Sequence, residues 1–172
     1  MASRAGENHG KLSGRSRTEK LHLGSAAFSE GESIPMRFTC SGENISPPLT
    51  WSGVPKAAKS IALICDDPDA PARTWIHWVL FNISPTVEGL PEAVPAKDTL
   101  SGGAQQGMND FGQVGYGGPC PPTGKPHRYF FKVYALDRML RLKSGAGKKD
   151  LEKAMKGHIV AEARFMGKYQ AK

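Results

Sequence analysis

Long apolar runs are missing from this chain. No stretch approaches the ~18 consecutive apolar residues that a membrane-crossing helix needs, so stable membrane insertion is not expected. Cysteine is scarce: Cys40, Cys65 and Cys120 are the only three, far apart and without CxxC spacing. An odd, scattered set argues against a disulfide framework and for a reducing, cytoplasmic setting. Catalytic signatures are lacking as well. There is no HExxH and no GxSxG. Gly145-Ala146-Gly147-Lys148-Lys149 has the flavour of a phosphate loop, but Leu142 stands where that pattern needs glycine and Lys149 where it needs serine or threonine. Gly115-Tyr116-Gly117 begins like a dinucleotide fingerprint, yet Cys120 occupies the last glycine position and prolines follow instead of a helix. No cofactor is therefore expected.

What is abundant is glycine and proline, 20 and 13 of 172 residues, which favours many turns and short strands over long helices. Hydrophobic and charged fractions of 39% and 23% are those of an ordinary globular domain. The net charge of +7 lies partly in residues 1–20, with Arg4, Lys11, Arg15, Arg17 and Lys20, and partly in the 138–156 region. Without a nucleic-acid motif or interleaved aromatics it reads as a solvated basic surface, not a nucleic-acid interface. Residues 1–20 are poor in apolar side chains and read as a disordered basic tail, which leaves one domain over 21–172.

Ile34 to Cys40 alternates and predicts a strand with Ile34, Met36, Phe38 and Cys40 on one face. Ser60 to Cys65 is nearly continuous in apolar residues and predicts a strand covered on both faces, ended by Asp66-Asp67-Pro68-Asp69-Ala70-Pro71. Trp75 to Ile83 predicts a central strand with Trp75, His77, Val79, Phe81 and Ile83 on one face and Ile76, Trp78, Leu80 and Asn82 on the other. The glycine-rich 102–118 stretch is longer than loops in compact domains usually are, which marks it as functional or mobile. His127 to Leu136 predicts another central strand. Lys148 to Lys156 is the one convincing helix, with Leu151 and Met155 at i and i+4 and Gly157 as its stop signal. His158 to Tyr169 predicts a last strand with Ile159, Ala161, Ala163 and Phe165 inward. The sum is a mainly β chain: an antiparallel β-sandwich with Greek-key connections, one short C-terminal helix and a final strand.

Two distant segments carry chemistry. DPDAPARTWIHW supplies Asp69, Trp75 and His77. GPCPPTGKPHRY, a rigid loop poor in N–H donors, leads directly into His127 and Tyr129. Either that loop is a structural corner or it walls a pocket that His127 lines. If the two His-bearing strands are near in space, their polar ends could meet in such a pocket. The competing reading is an enzyme, with Asp69, His77 and His127 as a facial metal site or acid–base set and Cys120 as a nucleophile.

DDPDAP with TWIHW, then NDFG, GYGGPCPPTGKPHRYFFKVYALD and DLEKAMKGHIVAEARFMGKYQ, resemble the phosphatidylethanolamine-binding protein family, and within it the bacterial and archaeal Raf-kinase-inhibitor-like branch. The likeness runs from about Leu21 to Gln170. It implies a β-sandwich that binds a small anion, such as phosphate or a phospholipid headgroup, through Asp69, Trp75, His77, Gly118, Pro119, His127 and Tyr129, without catalysis. On that implication Asp69 would accept from one imidazole and fix its tautomer, while another ring nitrogen and the Tyr129 hydroxyl donate to the anion. Trp75 would form an apolar wall, and the prolines would stiffen the loop so that the Gly117 and Gly118 backbone approaches the ligand. It also implies cis peptides at Ala70-Pro71 and Arg73-Thr74, a homodimer, and a protein target in a regulatory role such as kinase or protease inhibition. Two departures stand out: Ala72 replaces the tyrosine that eukaryotic members carry before the arginine, and no bordering helix follows Tyr169.

Overall fold

The computed structural model describes residues 20–172, so all of the expected basic tail except Lys20 lies outside the described residues. Two antiparallel sheets face each other. The small one is ordered β1-β2-β5, from His22–Gly24, Leu49–Ser52 and Gly89–Leu90. The large one is ordered β6-β4-β3-β7-β8, from Gln105–Gln106, Trp75–Ile83, Ser60–Asp67, His127–Leu136 and Ile159–Tyr169. The chain between β4 and β7 returns across the sheet to lie beside β3, a crossover of the kind anticipated. No helix among the described residues is long and apolar enough to cross a membrane.

The burial of β3 explains its unbroken apolar run. Ile61, Leu63 and Cys65 face the small sheet and pack with Leu49, Trp51 and Phe131. Ala62 and Ile64 face the other way, under α1 (Lys148–Met155). Leu151 and Met155 are the two α1 residues driven into that second layer, and Gly157 ends the helix with φ 82°, a left-handed conformation that favours glycine.

Several expectations fail for local reasons. Ile34 to Cys40 is not a strand. Pro35 opens a single 3₁₀ turn, Met36–Phe38, which Thr39 closes by donating both its N–H and its hydroxyl to the Met36 carbonyl. Ile34 and Phe38 stay buried, but Met36 is exposed. In β8 only Phe165 of the four supposed inward residues is fully buried, and Ile159 is exposed at the strand's start. The cysteines also overturn the sequence reading. Cys40 and Cys120 form a disulfide across 80 residues, and only Cys65 is free. Three scattered cysteines concealed a pair because the fold, not the spacing, brings them together. The premise for a reducing compartment goes with it. No cis peptide occurs among the described residues; the turn after Pro71 is made instead at Ala72, with φ 71° and Arg73 N–H donating to the Pro71 carbonyl. That is a γ-turn of the rare, strained hand.

The disulfide fastens the proline loop to the 36–44 segment, but three hydrogen bonds do so too: Cys40 N–H to the Pro119 carbonyl, Gly118 N–H to Asn44 Oδ1, and Tyr116 Oη to the Phe38 carbonyl. Reduction should therefore leave the fold intact at room temperature while lowering its stability, by at most about 4.5 kcal/mol on chain-entropy grounds. Urea unfolding followed by tryptophan fluorescence, with and without reductant, measures this; coincident curves would mean the cross-link contributes nothing.

Candidate functional site

Asp67 is the last residue of β3. Strand alternation puts it on the same face as Leu63 and Cys65, toward the small sheet, whereas Asp66 turns to the α1 side and meets Lys132 Nζ at 2.9 Å. The β3–β7 register runs Cys65 to Phe131 and Asp66 to Phe130, so one step further Asp67 stands opposite Tyr129. Both carboxylate oxygens are engaged. Oδ1 accepts the Asp69 N–H at 2.8 Å, and Oδ2 accepts His127 Nδ1–H at 2.7 Å.

His77 reaches the same place through an irregularity. In the β3–β4 ladder Cys65 pairs with Trp78 and Asp66 with Ile76, so His77 is the extra residue of a β-bulge. A second slip between Ile61 and Leu63 absorbs another residue near Asn82. These bulges overturn the expected faces of β4. Trp78, Leu80 and Ile83 join the layer between the sheets, while Ile76, Val79 and Phe81 go to the α1 side. Bulges commonly re-aim a side chain beside a functional site. Here the imidazole is held by a two-way backbone link. Gly117 N–H donates to the His77 carbonyl at 2.9 Å, and His77 Nδ1–H donates to the Gly117 carbonyl at 2.6 Å.

His77, His127 and Tyr129 line one cavity of about 200 Å³, with Asp67 behind them, Trp75 and Phe111 on one side and Cys120, Pro121 and Pro122 on the other. Trp75 forms the expected apolar wall, its ring edge-on to Phe111 at 5.6 Å. The His77 ring is wedged between Phe111 at 5.4 Å and Tyr129 at 5.1 Å, both edge-on. Burial lowers the His77 pKa from its ordinary value, against the opposing pull of the Gly117 carbonyl, Asp67, the Gly118 carbonyl and Asp110. Burial likewise raises the Tyr129 pKa, helped by the Asp67 charge, so the phenol keeps its proton. Tyr129 is 1% exposed, and although the Asp67 carboxylate is near enough to act on it, its Oη is the one buried side-chain polar atom among the described residues that makes no hydrogen bond of regular geometry. Larger hollows exist, such as a 460 Å³ groove between the 20–23 segment and Lys132, Tyr134 and Arg164, but none holds a buried polar atom left unpaired.

The structure thus brings together Trp75, His77, His127 and Tyr129 and leaves three predicted residues outside. Asp69 is exposed and turned toward Arg128, whose N–H, Nε and Nη2 all donate to it at 2.9 Å. The Arg128 hydrogen bonds hold the Asp69 carboxyl at about 2, below its ordinary 3.8. Asp69 therefore latches the 67–74 loop onto β7 and orients neither imidazole. Its stabilising effect is present above the ordinary carboxylate range and fades as pH falls toward 2. Gly118 and Pro119 are buried and serve the loop itself: Gly118 N–H goes to Asn44, the Pro119 carbonyl takes Cys40 N–H, and a Cβ on Gly118 would collide with the Phe38 carbonyl. The glycine backbone is thus close to protein, not to a ligand. The facial set Asp69–His77–His127 is not assembled, and no three His, Cys, Asp or Glu side chains among the described residues are grouped to hold a metal. Cys120 is in a disulfide and is no nucleophile.

Asp67, Phe111, Pro121 and Pro122 were missed as site residues. Asp67 was findable: alternation carried two residues past Cys65 reaches Asp67, not Asp69. Phe111 had no local signal beyond its place in the long 102–118 loop. That loop is pinned in place, since Asn109 donates to the Gly115 carbonyl and accepts from the Phe111 and Gln113 N–H groups, and Asp110 Oδ2 accepts Ile76 N–H.

These features define a class first: a two-sheet β protein with a small pocket framed by a phenol and two imidazoles, one anchored to a backbone carbonyl and the other to a buried carboxylate. The comparisons give the family. The model of the phosphatidylethanolamine-binding proteins matches residues 24–170, and the chain belongs to that family. A UPF0098 protein of Methanothermobacter thermautotrophicus is 56% identical over 87% of this chain and 99% of its own length, and one of Aquifex aeolicus is 50% identical over 87% and 88%. Neither name states a reaction. Among solved structures, the phosphatidylethanolamine-binding protein homologue CT736 of Chlamydia trachomatis superposes with a TM-score of 0.82 at 44% identity, covering 89% of this chain and 99% of that one. YbcL of Escherichia coli, described as a member of the mammalian family, reaches 0.83 at 38% identity, covering 90% and 100%.

An unpaired buried hydroxyl costs roughly 1–3 kcal/mol. Replacing Tyr129 by Phe should therefore raise the stability of the ligand-free protein by about 1 kcal/mol, measured by urea unfolding. A loss of stability would mean the hydroxyl already has a partner.

Proposed function

We infer that the pocket is a non-catalytic binding site for a small oxyanion, a free phosphate or the phosphate of a headgroup. The observation that carries this is the buried Tyr129 Oη, left without a protein hydrogen bond on a residue that lines a cavity together with two imidazoles, each held by its Nδ1. A native fold keeps such a group when something else completes it. Asp67 takes the place first expected of Asp69: it holds His127 by Nδ1, so that the imidazolium form would direct Nε2–H into the cavity. Tyr129 O–H adds a second donor. At about 200 Å³ the cavity is smaller than the ~300–1,000 Å³ typical of drug-sized ligands, and suits a compact group. A headgroup phosphate could enter; acyl chains could not. The family's name and the absence of a reaction in the relatives' names fit a binding role.

Calorimetric titration with inorganic phosphate tests the reading. Wild-type protein should bind, and Tyr129→Phe and His127→Gln should each weaken binding about 10-fold, the size of one charge-assisted or buried hydrogen bond. Unchanged affinity in both variants would place the anion elsewhere.

A further inference from the structure

The donors and acceptors around the cavity do not match a bare oxyanion. Gly117 O can only accept, so the 2.6 Å contact places a proton on His77 Nδ1. A neutral imidazole has one N–H, and with Nδ1 protonated, Nε2 offers a lone pair. The ring's one hydrogen bond among the described residues is that Nδ1 contact; the Gly118 carbonyl lies near the ring as well, but a carbonyl can only accept and so donates nothing to Nε2. The pocket therefore combines one fixed acceptor with the Tyr129 hydroxyl and His127 Nε2.

We propose that the pocket selects an oxyacid that brings its own hydroxyl, a P–OH group, over oxyanions that carry none. This rests on the anion reading and narrows it. In such a complex the ligand hydroxyl donates to His77 Nε2 while its other oxygens accept from Tyr129 and from Nε2–H of the His127 imidazolium, whose Nδ1–H is committed to Asp67. Sulfate or a phosphodiester has only lone pairs to set against Nε2. One of these would either leave two acceptors facing each other or force a second proton onto His77.

The surroundings oppose that second proton. His77 is 3% exposed and clamped between the edges of Phe111 and Tyr129. The charged and titratable groups facing it are Asp67 from β3, Asp110 from the loop before β7, and His127 and Tyr129 from β7; the two carboxylates favour the charged ring. Burial outweighs them and lowers the His77 pKa, which keeps Nε2 an acceptor. Each Asp67 oxygen in addition already accepts one N–H, from His127 and from Asp69.

The consequence runs against the family's name. An intact phospholipid headgroup is a phosphodiester and has no P–OH at neutral pH. Inorganic phosphate retains one, and a phosphomonoester gains one below its second pKa of about 6. The matched ligand is thus free phosphate or a protonated monoester, and His77 is the residue that sets the preference.

Four probes at equal ionic strength test this on the wild-type protein: inorganic phosphate, methyl phosphate, dimethyl phosphate and sulfate, titrated calorimetrically at pH 7, with methyl phosphate repeated at pH 5.5. Phosphate should bind at least about 10-fold tighter than sulfate or dimethyl phosphate, since sites that hydrogen-bond a ligand hydroxyl discriminate strongly against analogues without it. Methyl phosphate should strengthen toward phosphate as pH falls to 5.5. In parallel, the long-range proton–nitrogen NMR spectrum of the phosphate complex should show His77 neutral and protonated on Nδ1. Sulfate or dimethyl phosphate binding within 2-fold of phosphate, or a doubly protonated His77 in the complex, overturns the selection while leaving the anion site standing. Failure of all four probes to bind overturns both. His77→Gln, whose amide can donate or accept, should bring the phosphate-to-sulfate ratio toward one; a ratio unchanged from wild type would remove His77 from the account.

Discussion

The carboxylate of Asp67 is the contact on which the rest of the site depends. It ends a central strand that is buried along its whole length, and both oxygens are committed. One ties the departing 68–74 loop back to the strand end, and the other holds His127 across the β3–β7 ladder. A carboxylate that is 3% exposed would be costly if unpaired. Two short N–H donors relieve that cost and at the same time fix the direction of an imidazole. Structure and site are thus one arrangement here. Removing the charge would release the loop and the histidine together.

The second constraint is the bulge at His77. A regular β4 would alternate without interruption, and the Trp78 indole and the His77 ring would then face opposite sides of the sheet. The extra residue lets both point between the sheets: Trp78 into the core, with its Nε1–H donating to Gln106, and His77 into the cavity wall. The ring cannot rotate freely, because its own residue exchanges two hydrogen bonds with Gly117. The glycine at 117 is needed for this approach, since a Cβ there would strike the Phe111 ring. The proline-rich loop that follows serves two purposes. Pro121 and Pro122 wall the cavity, and the buried Gly118-Pro119 pair, with the Cys40–Cys120 bond, fastens the wall to the 36–44 segment.

Much of this was legible in the order of residues. The apolar run of β3, the alternation of β7, the i,i+4 pair of α1 and its glycine stop each depend on local periodicity, and each element formed. So did the meeting of Trp75, His77, His127 and Tyr129, which two idiosyncratic motifs marked. The errors share one cause. Periodicity reads a strand as regular, so it assigned β4 the wrong faces past its bulges and read the Pro35 turn as a strand. Proximity along the chain suggested Asp69 as the partner of a histidine, when Arg128 on the neighbouring strand was the stronger competitor for that carboxylate.

By itself, the sequence determined the two-sheet architecture, the position of its one helix, and the set of polar and aromatic side chains available to a pocket, because strand and helix preferences act over a few residues. Tertiary structure alone decided which aspartate backs His127, that Cys40 and Cys120 bond across 80 residues, and which nitrogen of His77 carries a proton. Those outcomes depend on partners brought in from distant strands and loops, and a hydrogen bond or a disulfide is settled by ångström-scale geometry that no local pattern encodes.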